Sequence, residues 1–265
     1  MSNHNWDLLP LLQSYLSQEK VLSVGDRIII AVSGGPDSIT LLDLLNRLAS
    51  RWNLTLHVAH INHQLRPTAK ADADFVRSIA QKRGHPFHHH TEDVSDLAEK
   101  RKMSIEEAAR DVRRAFLTQI QHQTGANRIA LGHTKSDQAE TVLLRLIRGA
   151  GTSGLGGIRP LSNSCWIRPL LSFSRKQIEQ YVLARNLEFR LDETNTDQKF
   201  LRNRIRTDLI PHLQSIYNPQ IEDVLARTAT LLQNDDAQLE IVVEQALLQS
   251  MVYRDNQKII LDITP

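Results

Sequence analysis

The stretch Ser33-Gly34-Gly35-Pro36-Asp37-Ser38 follows an apolar, β-branched run, Arg27 to Val32. It opens a segment that places Ile39, Leu41, Leu42, Leu45 and Leu48 on one helical face. The run predicts a buried strand, the Gly-Gly-Pro a turn, and the spacing after it a helix. Glycines there permit positive φ and close approach of backbone to a ligand. Pro36 gives up an amide that a first helical turn leaves idle anyway. The remaining amides and the hydroxyls of Ser33 and Ser38 then face a helix N-terminus, which favours anions. Asp37 is out of place beside phosphates unless a cation bridges the two, so Mg²⁺ at Asp37 is the expectation. The bland alternative is an ordinary strand–helix turn.

Outward from the turn, strands and helices alternate. Leu54 to Ile61 reads as a strand, and Ala69 to Arg83 as a helix stopped at Gly84. Phe87 to Glu92 reads as a strand. Ser104 with Glu107 opens a long helix that Gly125 closes, Arg128 to Leu131 is a further strand, and Ser136 to Arg148 a helix ended by Gly149. Ser174 with Gln177 opens a helix to about Asn186. This alternation predicts an α/β fold, a parallel sheet with helices on both faces. Ligands in such sheets bind at the carboxyl ends of strands, so chemistry is expected after Val32, Ile61 and Leu131. From Ile221 to Met251 the pattern becomes one or two polar helices, then a strand-like run, Lys258 to Ile263: a small, mainly helical C-terminal segment.

Composition narrows the class. One cysteine, Cys165, excludes a disulfide framework and any cage built from cysteine thiolates alone. The longest apolar run, Ile28 to Val32, is far too short to span a membrane, and the apolar start from Leu8 lacks a basic flank. A cytoplasmic protein with no membrane partner is the expectation. The net charge of +2 hides an asymmetry: 29 Lys and Arg against 22 Asp and Glu up to Ile210, then 3 against 8. A phosphate-rich partner would approach the first part and avoid the second. No Gly-Lys-Ser or Gly-Lys-Thr occurs, which argues against Walker-type phosphoryl transfer. Gly149, Gly151 and Gly154 spell a dinucleotide fingerprint, but after a helix instead of a strand, so a flexible loop is the better account.

At this point the residues resemble a family. Ser33 to Ser38 is similar to the pyrophosphate loop of the N-type ATP pyrophosphatases, which have an adenine nucleotide alpha hydrolase-like fold. The later stretches, taken in order, resemble the branch that makes lysidine in tRNA. These are His57 to Arg66, Glu106 to Arg114, Leu131-Gly132-His133 with Asp137 to Thr141, and Arg148 to Leu155. Arg168 to Leu171, Asp192 with Asn195, and Arg202 to Arg206 with Pro211 follow. The resemblance runs from about Gly25 to Pro219. It implies that ATP adenylates the wobble cytidine of the CAU-anticodon isoleucine tRNA, and that free L-lysine then displaces AMP. It implies that Ser33, Gly34, Gly35, Pro36, Asp37 and Ser38 hold ATP, with Asp37 helping to place Mg²⁺. It also implies a catalytic domain over residues 1–210, then a helical linker and the start of a tRNA-binding region over 211–265. A tRNA 2-thiolation enzyme of the same superfamily, or an adenine-nucleotide-binding module without chemistry, are the alternatives. Family members usually carry C-terminal domains that grip the tRNA, and Ile221 to Pro265 corresponds to a remnant of them at most. The sequence does not fix the oligomeric state, and a homodimer is among those it allows.

Asp137 and Glu140 are three apart on one expected helix, so both carboxylates share a face and suit a ligand with ammonium groups. His133 ends the preceding strand near the same edge. Arg110 and Arg113, on neighbouring turns, are candidates to reach phosphate or the cytidine. The bland readings are a Glu140–Arg pair, a satisfied polar His133, and a solvated arginine face. Strand geometry turns His57 and His63 to one side and His60 to the other, which disfavours one shared metal; His88, His89 and His90 alternate likewise. Lys199, Arg202, Arg204 and Arg206 are expected to meet RNA phosphates.

Overall fold

The computed structural model describes residues 7–65, 68–190, 201–254 and 258–262. Arg66, Asp192, Asn195 and Lys199 therefore lie outside the described residues. The order is α1 (Leu9–Gln18), β1 (Arg27–Ala31), α2 (Pro36–Trp52), β2 (Thr55–Asn62), α3 (Ala69–Lys82), β3 (Phe87–Thr91), α4 (Val94–Arg101), α5 (Ile105–Thr124), β4 (Arg128–Ala130) and α6 (Lys135–Ile147). Then come α7 (Thr152–Leu155), β5 (Leu161–Ser162), β6 (Trp166–Ile167), α8 (Arg175–Ala184), α9 (Leu201–Arg204), a π turn (Ile205–Leu209), α10 (Ile210–Ile216), α11 (Ile221–Ser250), β7 (Met251–Arg254) and β8 (Ile259–Leu261).

The chain forms two compact units, and neither is a single stretch. The first comprises Met1–Asp137 with Pro160–Gln198, the second Gln138–Arg159 with Lys199–Pro265.

In the first unit six strands lie in the order β3-β2-β1-β4-β6-β5. All neighbours are parallel except the β5–β6 edge pair. Strand β1 alternates between two cores. Ile28, Ile30 and Val32 join Leu41, Leu44, Leu45 and Leu48 of α2 on one side. Ile29 joins Leu117 and Ile120 of α5 on the other. Helices thus cover both faces, as the β-branched run in β1 implied. The chain winds from β1 to β2 and β3, then returns to place β4 on the opposite side of β1. The crevice of such a sheet opens where the winding reverses, between the carboxyl ends of β1 and β4.

The second unit has its own core. Ala139 and Leu143 of α6 pack with Ile205 and Ile210. A π turn brings residues five apart onto one side, which is why Ile205 and Ile210 are both buried. Pro211 explains the turn: it has no amide to give the carbonyl of Thr207, and its ring crowds that carbonyl in a regular helix. Helix α11 is a single run of 30 residues, followed by the antiparallel β7–β8 pair. Among the described residues no helix is long and apolar enough to cross a membrane.

Candidate active site

The turn after β1 is held by its own serines. The Gly34 amide donates to Ser38 Oγ at 3.2 Å, and the Gly35 amide to Ser33 Oγ at 3.4 Å. Ser38 Oγ donates to the Gly35 carbonyl at 3.0 Å and lies 3.2 Å from Ser33 Oγ. One hydroxyl has one proton, so Ser33 is the donor in that last pair. The hydroxyls expected to face a ligand thus close the loop on itself. Gly34 sits at φ +97°, and its carbonyl accepts from the Arg190 amide at 2.9 Å. Arg190 in turn lies over the Phe75 ring at 5.1 Å. The first intrahelical bond of α2 runs from the Ile39 amide to the Gly35 carbonyl. The amides of Asp37 and Ser38 come before it, at the end of the helix where the dipole is positive. Asp37 is half-buried in that first turn.

Gly132 follows β4 and faces the same turn. A Cβ there would stand 3.4 Å from the carbonyl carbon of Asp37 and 3.4 Å from the Ser38 amide nitrogen. Glycine lets the two loops of the crevice meet. Gly132→Ala would bring its Cβ to the tight edge of ordinary contact with the first turn of α2 and fill the gap between the two loops. We expect it to weaken binding of a nucleotide phosphate in this turn about threefold to tenfold by calorimetry, with smaller loss of stability. His133 follows, half-buried between β4 and α6.

Asp137 caps its own helix. Its Oδ2 accepts from the Thr134 amide and from Thr134 Oγ1, both at 2.8 Å, and its amide donates back to Thr134 Oγ1 at 3.3 Å. This is a reciprocal capping box with Asp in the third position. Arg175 Nη2 stands 3.9 Å from Oδ1. Sequence spacing missed this role, although Thr134-x-x-Asp137 is the pattern that signals it.

Glu140 belongs to the second unit and is 1% exposed. Arg202 Nε donates to Oε2 at 2.9 Å; Arg206 donates through Nε to Oε1 at 2.5 Å and through Nη2 to Oε2 at 2.9 Å. A buried carboxylate requires such partners. Arg202 and Arg206, expected to meet RNA, therefore point at Glu140, and Arg204 is the exposed member of that group. The Gly149–Gly154 loop is tied at its base: Arg145 Nη1 reaches the carbonyls of Gly154 and Gly157, and Gln138 binds the amide and carbonyl of Ile158.

Arg110 lies exposed, 3.9 Å from Glu106 on the same helix. Arg113 is also solvent-accessible, yet surrounding protein and the Arg110 charge hold its guanidinium below its ordinary value. His60 Nδ1 is 2.8 Å from the Val32 carbonyl, so it carries the proton. His57 Nδ1 is 3.1 Å from His88 Nε2. These partners take His57 and His60 to opposite sides of the sheet. No group of three metal-ligating side chains occurs among the described residues.

A glycine turn at the switch point of a parallel sheet is a phosphate-binding geometry, and a family model for it, described as a PP-loop domain, matches residues 10–213. The chain belongs to the PP-loop domain family. Known proteins are similar to it at very different distances. The tRNA(Ile)-lysidine synthase of Geobacter sulfurreducens is 44% identical over 242 residues, 91% of this chain and 51% of that protein. That of Clostridium acetobutylicum is 39% identical over 226 residues, 85% of this chain and 49% of that protein. The chain thus spans about half the length of the curated relatives it matches. Among solved structures, the U34-tRNA thiolase NcsA from Methanococcus maripaludis, determined with its 4Fe–4S cluster, aligns with a TM-score of 0.68 at 18% identity. It covers 85% of this chain and 80% of its own. The likeness to the thiolase is one of fold. The glycine turn, Ser33 to Ser38, and its Gly132 neighbour lie within the matched residues.

Proposed function

We propose that this chain carries the catalytic part of an enzyme that joins L-lysine to the wobble cytidine of the CAU-anticodon isoleucine tRNA at the expense of ATP. The observation that carries the reading is the 44% identity to a tRNA(Ile)-lysidine synthase along nearly the whole chain. The cytosine carbonyl oxygen attacks the α-phosphorus and pyrophosphate leaves. The lysine side-chain amine then adds at the activated carbon, AMP departs with the former carbonyl oxygen, and the amine loses its proton. Lysidine results, and the tRNA changes its codon from Met to Ile. We assign residues 1–210 to catalysis and 211–265 to the start of a tRNA-binding region, working in the cytoplasm.

Ser33, Gly34, Gly35, Pro36, Asp37 and Ser38 bind the ATP phosphates in this reading. Charge that develops on the leaving pyrophosphate is met by the first-turn amides and the α2 dipole. The half-buried Asp37 carboxylate beside those amides fits a hard, oxygen-seeking cation, and Mg²⁺ held there would neutralise pyrophosphate. His133, Asp137 and Glu140 serve the lysine and the reacting base. Asp137 and Glu140 do so by orienting helix α6 and the two arginines unless those partners are displaced. Arg110 and Arg113 serve phosphate or cytidine. The thiolase alternative needs sulfur-handling residues, and one cysteine cannot supply the thiolates of a cluster.

Pyrophosphate release, measured with each amino acid in turn, should occur only when lysine and the CAU isoleucine tRNA are both present. A mass increment of one lysine should appear on the wobble cytidine in a digest of that tRNA. Release that ignores lysine would sink the reading.

A further inference from the structure

His63 is a buried-side histidine that the proposed reaction leaves without a role. It stands just beyond β2, where the chain turns sharply. Gln64 has φ +54°, its amide bonds Asn62 Oδ1 at 2.9 Å, and the His63 carbonyl accepts from the Val94 amide at 3.4 Å. The corner is fixed, so the imidazole has a defined direction.

That direction follows from register. Ile29 pairs with His57 and Ala31 with Ala59, and Ile29 and Ala59 pack against α5. Alternation puts Ile61, and then His63, on the same α5 side. Ile61 pairs with His90, whose ring stacks on Phe116 of α5 at 5.3 Å between centroids. Helix α5 runs against the strands: the Thr124 carbonyl at its end accepts from Arg27 at the start of β1, at 2.6 Å. Its earlier residues therefore lie toward the carboxyl edge. Arg113 is three residues before Phe116 on the same face, about 4.5 Å further along. His63 is two residues past Ile61, about 6.6 Å further along. Arg113 and His63 thus come near one level at the carboxyl edge of β2, close enough for the Arg113 charge to act on the imidazole.

Chemistry settles which ring nitrogen works. His63 Nδ1 is shielded from solvent and has no hydrogen-bond partner among the described residues. A buried lone pair without a partner costs less than a buried N–H without one. The proton then sits on Nε2. Burial, helped by the charges of Arg113 from α5, His60 from β2 and His90 from β3, holds the imidazolium down, to about 4. A His whose folded value lies that low stays neutral at pH 7 and charges only well below pH 5. It is thus an N–H donor and not a proton acceptor, next to a guanidinium that is also a donor.

We propose that His63, donating through Nε2–H, and Arg113 form a contact point for an anionic substrate oxygen at the carboxyl edge of β2. Two substrates of the proposed reaction offer one, the ATP phosphates and the lysine carboxylate, so for the identity of the ligand the inference rests on that reading. The tautomer is read directly from side-chain ¹⁵N NMR of the full chain, with His63→Gln to assign the signal. We expect Nε2 protonated, Nδ1 bare, and no titration between pH 6 and 8. A protonated Nδ1, or a midpoint near 6.5, overturns the proposal without touching the reaction. In pyrophosphate release, His63→Leu should raise one substrate's KM about tenfold or more, and His63→Gln, which keeps a donor, should restore it to within about threefold. A rise for ATP assigns the phosphate, and a rise for lysine the carboxylate. Both KM values unchanged in His63→Leu, whatever kcat does, overturns it. If release proves indifferent to lysine, the reaction fails, and the NMR result still decides the donor.

Discussion

Glu140→Gln is expected to melt the second unit about 6–12 °C earlier than the parent protein, by circular dichroism. The carboxylate is 1% exposed and takes three hydrogen bonds from Arg202 and Arg206. The amide keeps one acceptor oxygen but turns an NH₂ group toward a guanidinium, and removes the negative charge that both guanidinium groups face. Removing one partner of a buried ion pair costs about 3–5 kcal/mol. The arginines here are 30% and 21% exposed. Solvent reaches them, so the low end, about 3 kcal/mol, applies, and each kcal/mol moves the midpoint by roughly 2–4 °C in a chain of this size. Replacing all three side chains by Leu should recover most of the loss, because the desolvation cost leaves with the charges. A midpoint within about 2 °C of the parent for Glu140→Gln would overturn this account. The same variant separates two roles. If Glu140 only fixes the arginines, activity well below the midpoint falls with no special dependence on lysine. If the carboxylate takes the lysine ammonium, the KM for lysine rises selectively and that for ATP stays near its parent value.

The parts of the fold that could be read from the sequence are those whose signals are local. The β-branched run of β1, the Gly-Gly-Pro turn and the leucines of α2 each declare themselves within a few residues. So does the capping box of α8, which has both Ser174 and Gln177 in place. Gly84, Gly125 and Gly149 each sit at positive φ just after the helices they were expected to end. Helix α4 went unread because its apolar signal is thin. Val94 and Ala98 are buried in a cluster with Ala108 and Val112 of α5, partners no window over α4 contains. The β5–β6 pair is two residues per strand, and its turn residues, Asn163 and Ser164, both take positive φ. Asn at such a position was its one visible mark.

The site divides in the same way. The glycine turn and its place at the carboxyl edge follow from the strand–turn–helix pattern. The roles of Asp137 and Glu140 do not follow from their spacing of three. That spacing says both carboxylates share a helix face and is silent about what that face meets. Thr134 is close enough in sequence to have been read as the cap of Asp137. The partners of Glu140 lie 62 and 66 residues away, and only the folded second unit brings them in.

The largest loss of activity is expected from Gly34→Ala. The space is not the obstacle: a Cβ there would meet Phe75 and Val76 at 3.6 Å, ordinary contact distances. The backbone is. Gly34 has φ +97°, beyond the left-handed well near +50 to +70° that other residues visit. Holding alanine there costs on the order of 1–3 kcal/mol. The loop can escape that strain by rotating the peptide. Rotation pulls the Gly34 amide off Ser38 Oγ and the Gly34 carbonyl off the Arg190 amide, the two bonds that set the cradle. Global stability then falls by no more than the strain, while the turn proposed to hold the phosphates loses its shape outright. Pyrophosphate release should drop about a hundredfold or more, with weaker ATP binding by calorimetry, and a midpoint only a few degrees lower. Gly35→Ala is the comparison. Gly35 has φ −73°, which any residue adopts, and its Cβ would meet Ser33 Oγ at 3.6 Å. Its loss should be milder by about tenfold or more, since no backbone rotation is forced. Equal losses in the two variants would mean that the phosphates need the room above both glycines, and that the positive φ of Gly34 is not what shapes the cradle.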